Sequence, residues 1–466
     1  MKAKWDDIKC EFVIITVFLI MSLLMCPHYT INFDEFYTME WCRSTWSVFL
    51  YEVLHDTSPF LYYFLIRPYV ILTGQNIFLA RLFSIAFLGV ILMIGATFVK
   101  RNFGRKSMVF YLMVMYLNPF MMQKSTEIRM YVLATAFTLL SGVFCYKLLK
   151  FFGEEKIQRK NWILFTLFSL LGSYTHYYVV LTMVFLYLGL LGYYMMQRNL
   201  KELKNWLLCC IVTVVGYLPV LLIAIAQIKE SSGGWIPEVN SRLEPIKQLF
   251  YSRIAGTEYI HLAIIAGFTL LGFVAFLRRR TVENYWALVC CSALWGILVF
   301  GIVFGKLVQP ILMSRYLIMP LCLLFLGISS MVRYVNKYFV LLLCLFFCIV
   351  SGLQYKGHME SLKEDRTVDM IRFADENIRE GDKIILIGGN DYLYNCTQYY
   401  IPQAERYYVH DMDAVLELLK ENAGNQYWFF DDKKFFQNKV DEIVTENFGT
   451  YQFSFVHMEI YKIQIY

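Results

Sequence analysis

Two adjacent acids, Asp34 and Glu35 in NFDEFYT, are the first residues in this chain whose types could do chemistry. An acid pair in a loop is ordinarily solvated charge. The functional reading is a carboxylate that takes the proton of an attacking hydroxyl. A second polar group follows in HDTSPFLYY, which holds His55, Asp56 and Tyr62. Arg81 in FLARLFS, Glu127 and Arg129 in STEIRMY, His176 in SYTHYY and Arg315 in SRYLIMP each stand close to one end of an apolar run. One arginine at a helix end can be a snorkelling anchor. Three on one side can receive an anionic lipid headgroup, because the guanidinium fork matches phosphate oxygens. His28, His55, His176 and His261, with Glu127, are the candidate metal donors, but their spacing fits no ligand pattern. No cofactor is therefore required, and a divalent metal is the one cofactor these donors leave open.

The elements that must position these residues are membrane helices. Of 466 residues, 58% are hydrophobic, 18% aromatic and only 17% charged. Soluble domains carry about 45–50% apolar and about 25% charged residues. This balance excludes a disordered chain, a small disulfide scaffold and an ordinary soluble enzyme. The net charge of +6 does not mark a nucleic-acid partner, because basic residues in such a chain first report topology. The 12 cysteines form no CxxC pair and fall mostly in apolar runs, as small buried hydrophobes.

Apolar runs predict eleven spans: Glu11–Cys26, Leu79–Val99, Met108–Met122, Met130–Leu149, Trp162–Tyr174, Tyr177–Met196, Trp206–Gln227, Leu262–Leu277, Tyr285–Phe304, Ile311–Val332 and Phe339–Leu353. The first has lysines before it but no small-residue cleavage site at Met25 to Pro27, and reads as an uncleaved anchor. Basic loops such as Lys100 to Lys106, Lys147 to Lys160 and Arg278 to Arg280 alternate with loops poor in Lys and Arg. The positive-inside rule then places the N-terminus in the cytoplasm of a multi-pass plasma (inner) membrane protein. The apolar segment Pro59–Thr73 carries Arg67 and Pro68 at its centre and reads as an interfacial helix within the outer loop 28–78. An odd number of spans puts the C-terminus outside. Residues 1–354 form the transmembrane domain. Residues 355–466 read as an extracytoplasmic α/β domain: a helical stretch Glu360–Asp382, a strand Lys383–Gly388, a helix Asp411–Asn422 with Leu416 and Leu419 on one face, a strand Gln426–Phe430 and a β-rich end from Thr450.

The motif order resembles the GT-C polyprenyl-phosphate-sugar glycosyltransferases, which include protein O-mannosyltransferases and the aminoarabinose transferase of lipid A. The matching residues are Asp34-Glu35, Asp56-Thr57-Ser58-Pro59-Phe60-Leu61-Tyr62-Tyr63, Ala80-Arg81-Leu82, Glu127-Ile128-Arg129-Met130-Tyr131 and Arg315-Tyr316-Leu317, across roughly Phe12–Val332. The chain departs from the family's frequent His-Pro-Pro at Ser58-Pro59-Phe60. The resemblance implies a GT-C-like membrane fold and a sugar moved, with inversion, from a polyprenyl-phosphate carrier (undecaprenyl phosphate in a bacterium) to a glycan, lipid or protein acceptor at the outer face. It implies Asp34 as general base, with Glu35 the second catalytic choice or a residue that positions the loop or the donor. It assigns substrate binding to Asp56, Tyr62, Arg81, Glu127, Arg129, His176 and Arg315. The rival reading, a transporter of an anionic or lipid-linked substrate, would place charges deep within several spans and usually shows an internal repeat, which this sequence lacks.

The expected topology is open to direct measurement. A tag appended after Tyr466 is expected to react with a membrane-impermeant reagent in intact cells, and a cysteine placed at Arg105 is expected to be protected. Protection of the tag would mean that Pro59–Thr73 crosses or that another crossing is miscounted.

Overall fold

The computed structural model describes residues 2–26, 31–230, 244–364, 366–387, 391–409, 412–421, 426–430, 451–457 and 460–465. Two compact units emerge, one formed by Met1–Cys26 and Trp41–Gly357, the other by Pro27–Glu40 and His358–Tyr466.

The first unit is helical. Its early elements are α1 (Lys2–Leu24), the end of α2 (Phe33–Arg43), α3 (Trp46–His55), α4 (Leu61–Leu72), α5 (Ile77–Ile94), a π-helical segment Gly95–Val99, α6 (Lys100–Phe103), α7 (Arg105–Tyr116) and α8 (Pro119–Lys124). Then come α9 (Tyr131–Lys150), α10 (Glu155–Ser173), α11 (Tyr177–Met196), α12 (Leu200–Glu230), α13 (Glu244–Gln248), α14 (Thr257–Arg278), α15 (Val282–Leu307), α16 (Ile318–Met331) and α17 (Lys337–Lys363). The core lies around α16, all of whose residues are buried, and α9, which buries most of its length. Gly327 lets α16 approach α15 closely, since a Cβ there would stand 2.8 Å from Cys290 Cβ and 3.0 Å from the Ala287 carbonyl. The Trp286 indole donates to Gly142 O at 2.9 Å and ties α15 to α9.

Among the described residues, eight helices are long and apolar enough to cross a membrane, which makes this a multi-pass membrane protein. They cover the expected runs at Leu79, Met130, Tyr177, Trp206, Leu262, Tyr285, Ile311 and Phe339. The other three of the eleven expected spans fall short for local reasons. At Met108–Met122 the helix stops at Tyr116, because Asn118 caps a new one, its side chain accepting from Met121 N at 2.9 Å with Pro119 in the first turn. Trp162–Tyr174 lies in α10, whose first two turns are the polar EKIQRKN. In α1 the apolar part is Glu11–Leu24 only.

Pro59–Thr73 forms the 12-residue helix α4, about 18 Å long and too short to cross. Its Arg67 is buried. Nη2 donates to Ser44 O at 2.7 Å and Nη1 to Trp41 O at 3.4 Å, so the guanidinium closes the carbonyl end of α2. The same group lies over the rings of Trp46 and Phe49, at 4.2 and 4.3 Å. The charge that spoiled this segment as a span is thus used to fasten two helices.

The second unit contains α18 (Arg366–Asn377), β1 (Lys383–Ile387), α19 (Asp391–Tyr400), β2 (Glu405–Val409), α20 (Met412–Glu421), β3 (Gln426–Phe430), β4 (Tyr451–His457) and β5 (Ile460–Ile465). The sheet order is β2-β1-β3-β5-β4. β1 pairs in parallel with β2 and β3, while β5 runs antiparallel to β3 and β4. The expected strands at Lys383 and Gln426 are present, and the β-rich end divides into β4 and β5. Three points differ from the sequence reading. The Glu360–Asp382 stretch holds the end of α17 and then α18, and Gly381, at φ 89°, turns the chain into β1. The buried stripe of α20 is Val415 and Leu419, with Leu416 at its margin. β2 and α19 were not expected, since ERYYV and DYLYNCTQYY carry too little aliphatic periodicity to read from one strand of sequence.

Removing the Arg67 charge while keeping its stem tests the helix clasp. Arg67→Met is expected to lower stability by about 1.5–3 kcal/mol, the usual worth of a charged hydrogen bond, read as a drop in thermal midpoint in detergent. Arg67→Lys is expected to recover only part of the loss, because an ammonium cannot span both carbonyls.

Candidate functional site

The chain leaves α3 at Asp56 in extended conformation and re-enters helix at Leu61, whose N–H donates to Tyr174 O at 3.1 Å. Gln227 Nε2 donates to Leu54 O at 3.0 Å, and Gln227 Oε1 accepts from the Tyr177 hydroxyl at 2.5 Å. The α3–α4 corner is therefore held against the turn between α10 and α11 and against α12. At this corner Tyr63, fully buried, donates to Asp56 Oδ2 at 2.7 Å and accepts from Arg129 Nη1 at 3.3 Å. Burial holds the Tyr63 phenol well above its ordinary pKa against the opposing pull of Arg129, so it stays a neutral bridge between carboxylate and guanidinium.

Arg129 lies in the buried turn between α8 and α9. The same turn contributes Glu127, whose carbonyl accepts from Ser84 Oγ at 2.6 Å. Lys124 Nζ donates to both Glu127 carboxylate oxygens, at 2.7 and 2.9 Å. That pairing keeps the two charges compatible with near-complete burial. Arg129 also stands at the N-terminus of the 20-residue helix α9, where the helix dipole favours an anion.

His176 caps α11, its Nδ1 accepting from Tyr178 N at 3.1 Å. Its ring stands 5.0 Å from that of Tyr316 and 5.9 Å from that of Tyr131. Burial first, and then the charges of Arg129 and Arg315, push its pKa down to about 3. Arg315 sits in the short 3-10 turn Ser314–Leu317 before α16, its guanidinium over the Tyr316 ring at 5.5 Å. The described structure thus brings Arg129 and Arg315 to His176 and links Arg129 through Tyr63 to Asp56, with the Lys124–Glu127 pair just ahead of Arg129 in the chain.

Two other expected residues lie on neighbouring elements. Tyr62 is buried, with its ring edge-on to Tyr63 and Phe83. Arg81 is buried one turn before Ser84 on α5, whose first turn is capped by Asn76 accepting from Leu79 N at 3.0 Å. Asp34 and Glu35 belong to the second unit. There Glu35, buried, accepts from Asn32 N at 3.2 Å while Asn32 Oδ1 accepts from Glu35 N at 2.8 Å, a reciprocal cap on α2. Asp34 beside it is half-buried and takes no part in that cap. The sequence motifs contain Tyr63, Tyr131 and Tyr316 without giving them a role, and they leave out Lys124. The signal for Tyr63 was its place in the Asp56–Tyr63 motif, seven residues from its acid.

Among the described residues, no three His, Cys, Asp or Glu side chains converge in a way that would hold a metal ion. His55 is exposed against Tyr51 O, His261 is buried against Phe250, and His176 faces two arginines, a setting hostile to a cation. His28 lies outside the described residues.

No family model matches this chain, and no curated protein matches it. Solved structures do. The crystal structure of ArnT from Cupriavidus metallidurans bound to undecaprenyl phosphate aligns with a TM-score of 0.60 at 11% identity, covering 99% of this chain and 98% of that one. The apo state of the same protein aligns with a TM-score of 0.56 at 13% identity, with the same coverage. The expected ArnT-like architecture is therefore the fold of this chain.

The depressed His176 predicts an acid-sensitive fold. Between its ordinary pKa of 6.5 and its folded value of about 3, the unfolded chain binds a proton that the folded chain refuses. Stability therefore falls as pH drops through that window, by about 2 kcal/mol at pH 5 from this group. Thermal midpoints at pH 7.5 and 5 are expected to differ less in His176→Asn than in the parent chain, since Asn can cap the helix without titrating.

Proposed function

We propose that this protein is a membrane glycosyltransferase that moves a sugar from a polyprenyl-phosphate carrier to an acceptor hydroxyl. The observation that carries this reading is the convergence of Arg129 and Arg315 on His176, beside the Asp56–Tyr63 pair. A lipid phosphate needs such concentrated, half-dry positive charge, and the N-terminus of α9 adds its dipole. The fold shared with a protein solved with undecaprenyl phosphate supports the same carrier class.

In this reading the acceptor oxygen attacks the anomeric carbon from the face opposite the phosphate, the C–O bond to the phosphate breaks, and the configuration inverts. The acceptor proton passes to Asp34. Negative charge grows on the leaving phosphate, and Arg129 and Arg315 stabilise it, with Arg81 as a third candidate. The buried Tyr63, held by Asp56, keeps the Arg129 guanidinium in register. Glu35 serves α2 as its cap, which supports giving the proton-transfer role to its neighbour. Cationic side chains meet the charge of a single phosphate, so the reaction is assigned no metal.

We infer eleven crossings, with α1, α10 and the consecutive helices α7 and α8 taken together completing the eight longer spans. The basic helix ends would lie in the cytoplasm and residues 355–466 outside a plasma (inner) membrane. A hexose or a pentose donor and a glycan, lipid or protein acceptor all fit this chemistry. Mass spectrometry of lipid co-purified with the protein, followed by a donor panel on that carrier, would name the first substrate.

Asp34→Asn keeps shape but not basicity, and is expected to lower turnover by about 10²–10⁴-fold with carrier lipid still bound. Glu35→Gln is expected to act mainly on stability. Arg129→Ala and Arg315→Ala are expected to weaken donor use, each by the roughly 1.5–3 kcal/mol of a charged hydrogen bond. Normal transfer by the Asp34/Glu35 double variant would place the base elsewhere.

A further inference from the structure

The helix that presents Arg129 at one end carries a second concentration of positive charge at the other. The 20 residues of α9 separate its ends by about 30 Å. At the far end, α9 and α6 enclose a cavity of about 430 Å³ into which Arg101, Lys147 and Lys150 all face as lining residues. No carboxylate lines it. Among the described residues, none of these three cations forms an ion pair. Lys150 Nζ donates to Asn102 Oδ1 at 3.1 Å and Tyr146 Oη at 3.2 Å, and Lys147 lies over the Phe144 ring at 4.4 Å. Lys147 is within electrostatic reach of both Arg101 and Lys160, so the cavity gathers mutually repelling charges.

Two ordinary explanations do not absorb this arrangement. Lysines often complement the carbonyls at a helix C-terminus. Here, however, Leu148 O already accepts from Gln158 Nε2 and Tyr194 Oη, and Lys147 O from Phe151 N. Of the nearby acids, Glu11 pairs with Lys100 at 2.5 Å, and Glu283 reaches the cavity only through the lining Tyr146 hydroxyl, from which it accepts at 3.5 Å. The opposite wall is independently unusual. Thr97 and Phe98 come from the π-helical segment Gly95–Val99, a widened turn of the kind that often marks a binding site.

We propose that this cavity binds the phosphate of an anionic diacyl phospholipid. The cavity lies at the ends of two candidate spans, Ile77–Phe103 and Tyr131–Lys150, where headgroups meet hydrocarbon. Phe98 and Phe151 give it apolar walls suited to a glycerol backbone and unsuited to a bare ion. The site stands apart from the sugar-transfer cluster and does not depend on that reading.

The test is native mass spectrometry of delipidated protein offered phosphatidylglycerol, phosphatidylcholine or inorganic phosphate. One phosphatidylglycerol is expected to be retained in preference to phosphatidylcholine. Arg101→Gln and Lys147→Gln are each expected to weaken retention about fivefold, and the pair about 25-fold. Arg101 is exposed, so its substitution leaves folding intact and keeps the result readable. Equal retention of both lipids, or undiminished retention in the double variant, would overturn the proposal. Displacement by millimolar inorganic phosphate would assign the pocket to the free ion, and preference for a polyprenyl phosphate would assign it to a carrier lipid; either would overturn the phospholipid assignment.

Discussion

A charge inside an apolar helical bundle must find a partner or leave, because the desolvation of an isolated ion costs far more than any one helix contact returns. The first unit is organised around that constraint. Lys124 lies on both oxygens of Glu127, Arg67 on the carbonyls that end α2, and Arg129 on the phenol that Asp56 also holds. Each pairing joins elements distant in the chain or closes a turn that no hydrophobic periodicity would fix. The polar residues are the joints of the bundle, and the aliphatic ones are its filling.

Those joints concentrate at helix ends. Asp56 terminates α3, His176 begins α11, Arg129 precedes α9 and Arg315 precedes α16. Helix ends are where backbone groups lack intrahelical partners and where the chain meets the membrane interface, so polar side chains are least costly there. A bundle that places several such ends side by side acquires a charged, partly dry surface without burying charge in mid-membrane. The tyrosine rings beside His176 add flat apolar faces next to the cations.

The second unit follows different rules. Its mixed sheet is built on short strands whose inward residues, such as Ile384, Ile385 and Phe429, are fully buried. Parallel pairing of β1 with β2 and β3 requires crossovers, which α19 and α20 supply. The Asn32–Glu35 cap shows how two adjacent acids can diverge in role: one is spent on starting a helix, and its neighbour is left at the boundary with solvent.

The sequence by itself determined the class of the protein. Eight apolar runs became helices of crossing length, because a helix satisfies its own backbone hydrogen bonds while it buries a long, mostly apolar run away from water. It also determined the strands at Lys383 and Gln426, whose aliphatic and aromatic runs are too dense for a surface loop. The motif residues Asp56, Glu127, Arg129, His176 and Arg315 were legible as a set, because polar residues at the ends of apolar runs stand out against their background. What only the tertiary structure decided was their connection. Tyr63 reads in the sequence as the aromatic end of a motif with no role of its own, and only the approach of α4 to the turn before α9 makes it the bridge between an acid and an arginine. Arg67 reads as a flaw in a short apolar helix, until the end of α2 arrives to use it. A side chain's partner is set by which backbones come within a few ångströms, and that is fixed by packing over the whole bundle, not by neighbours in the chain.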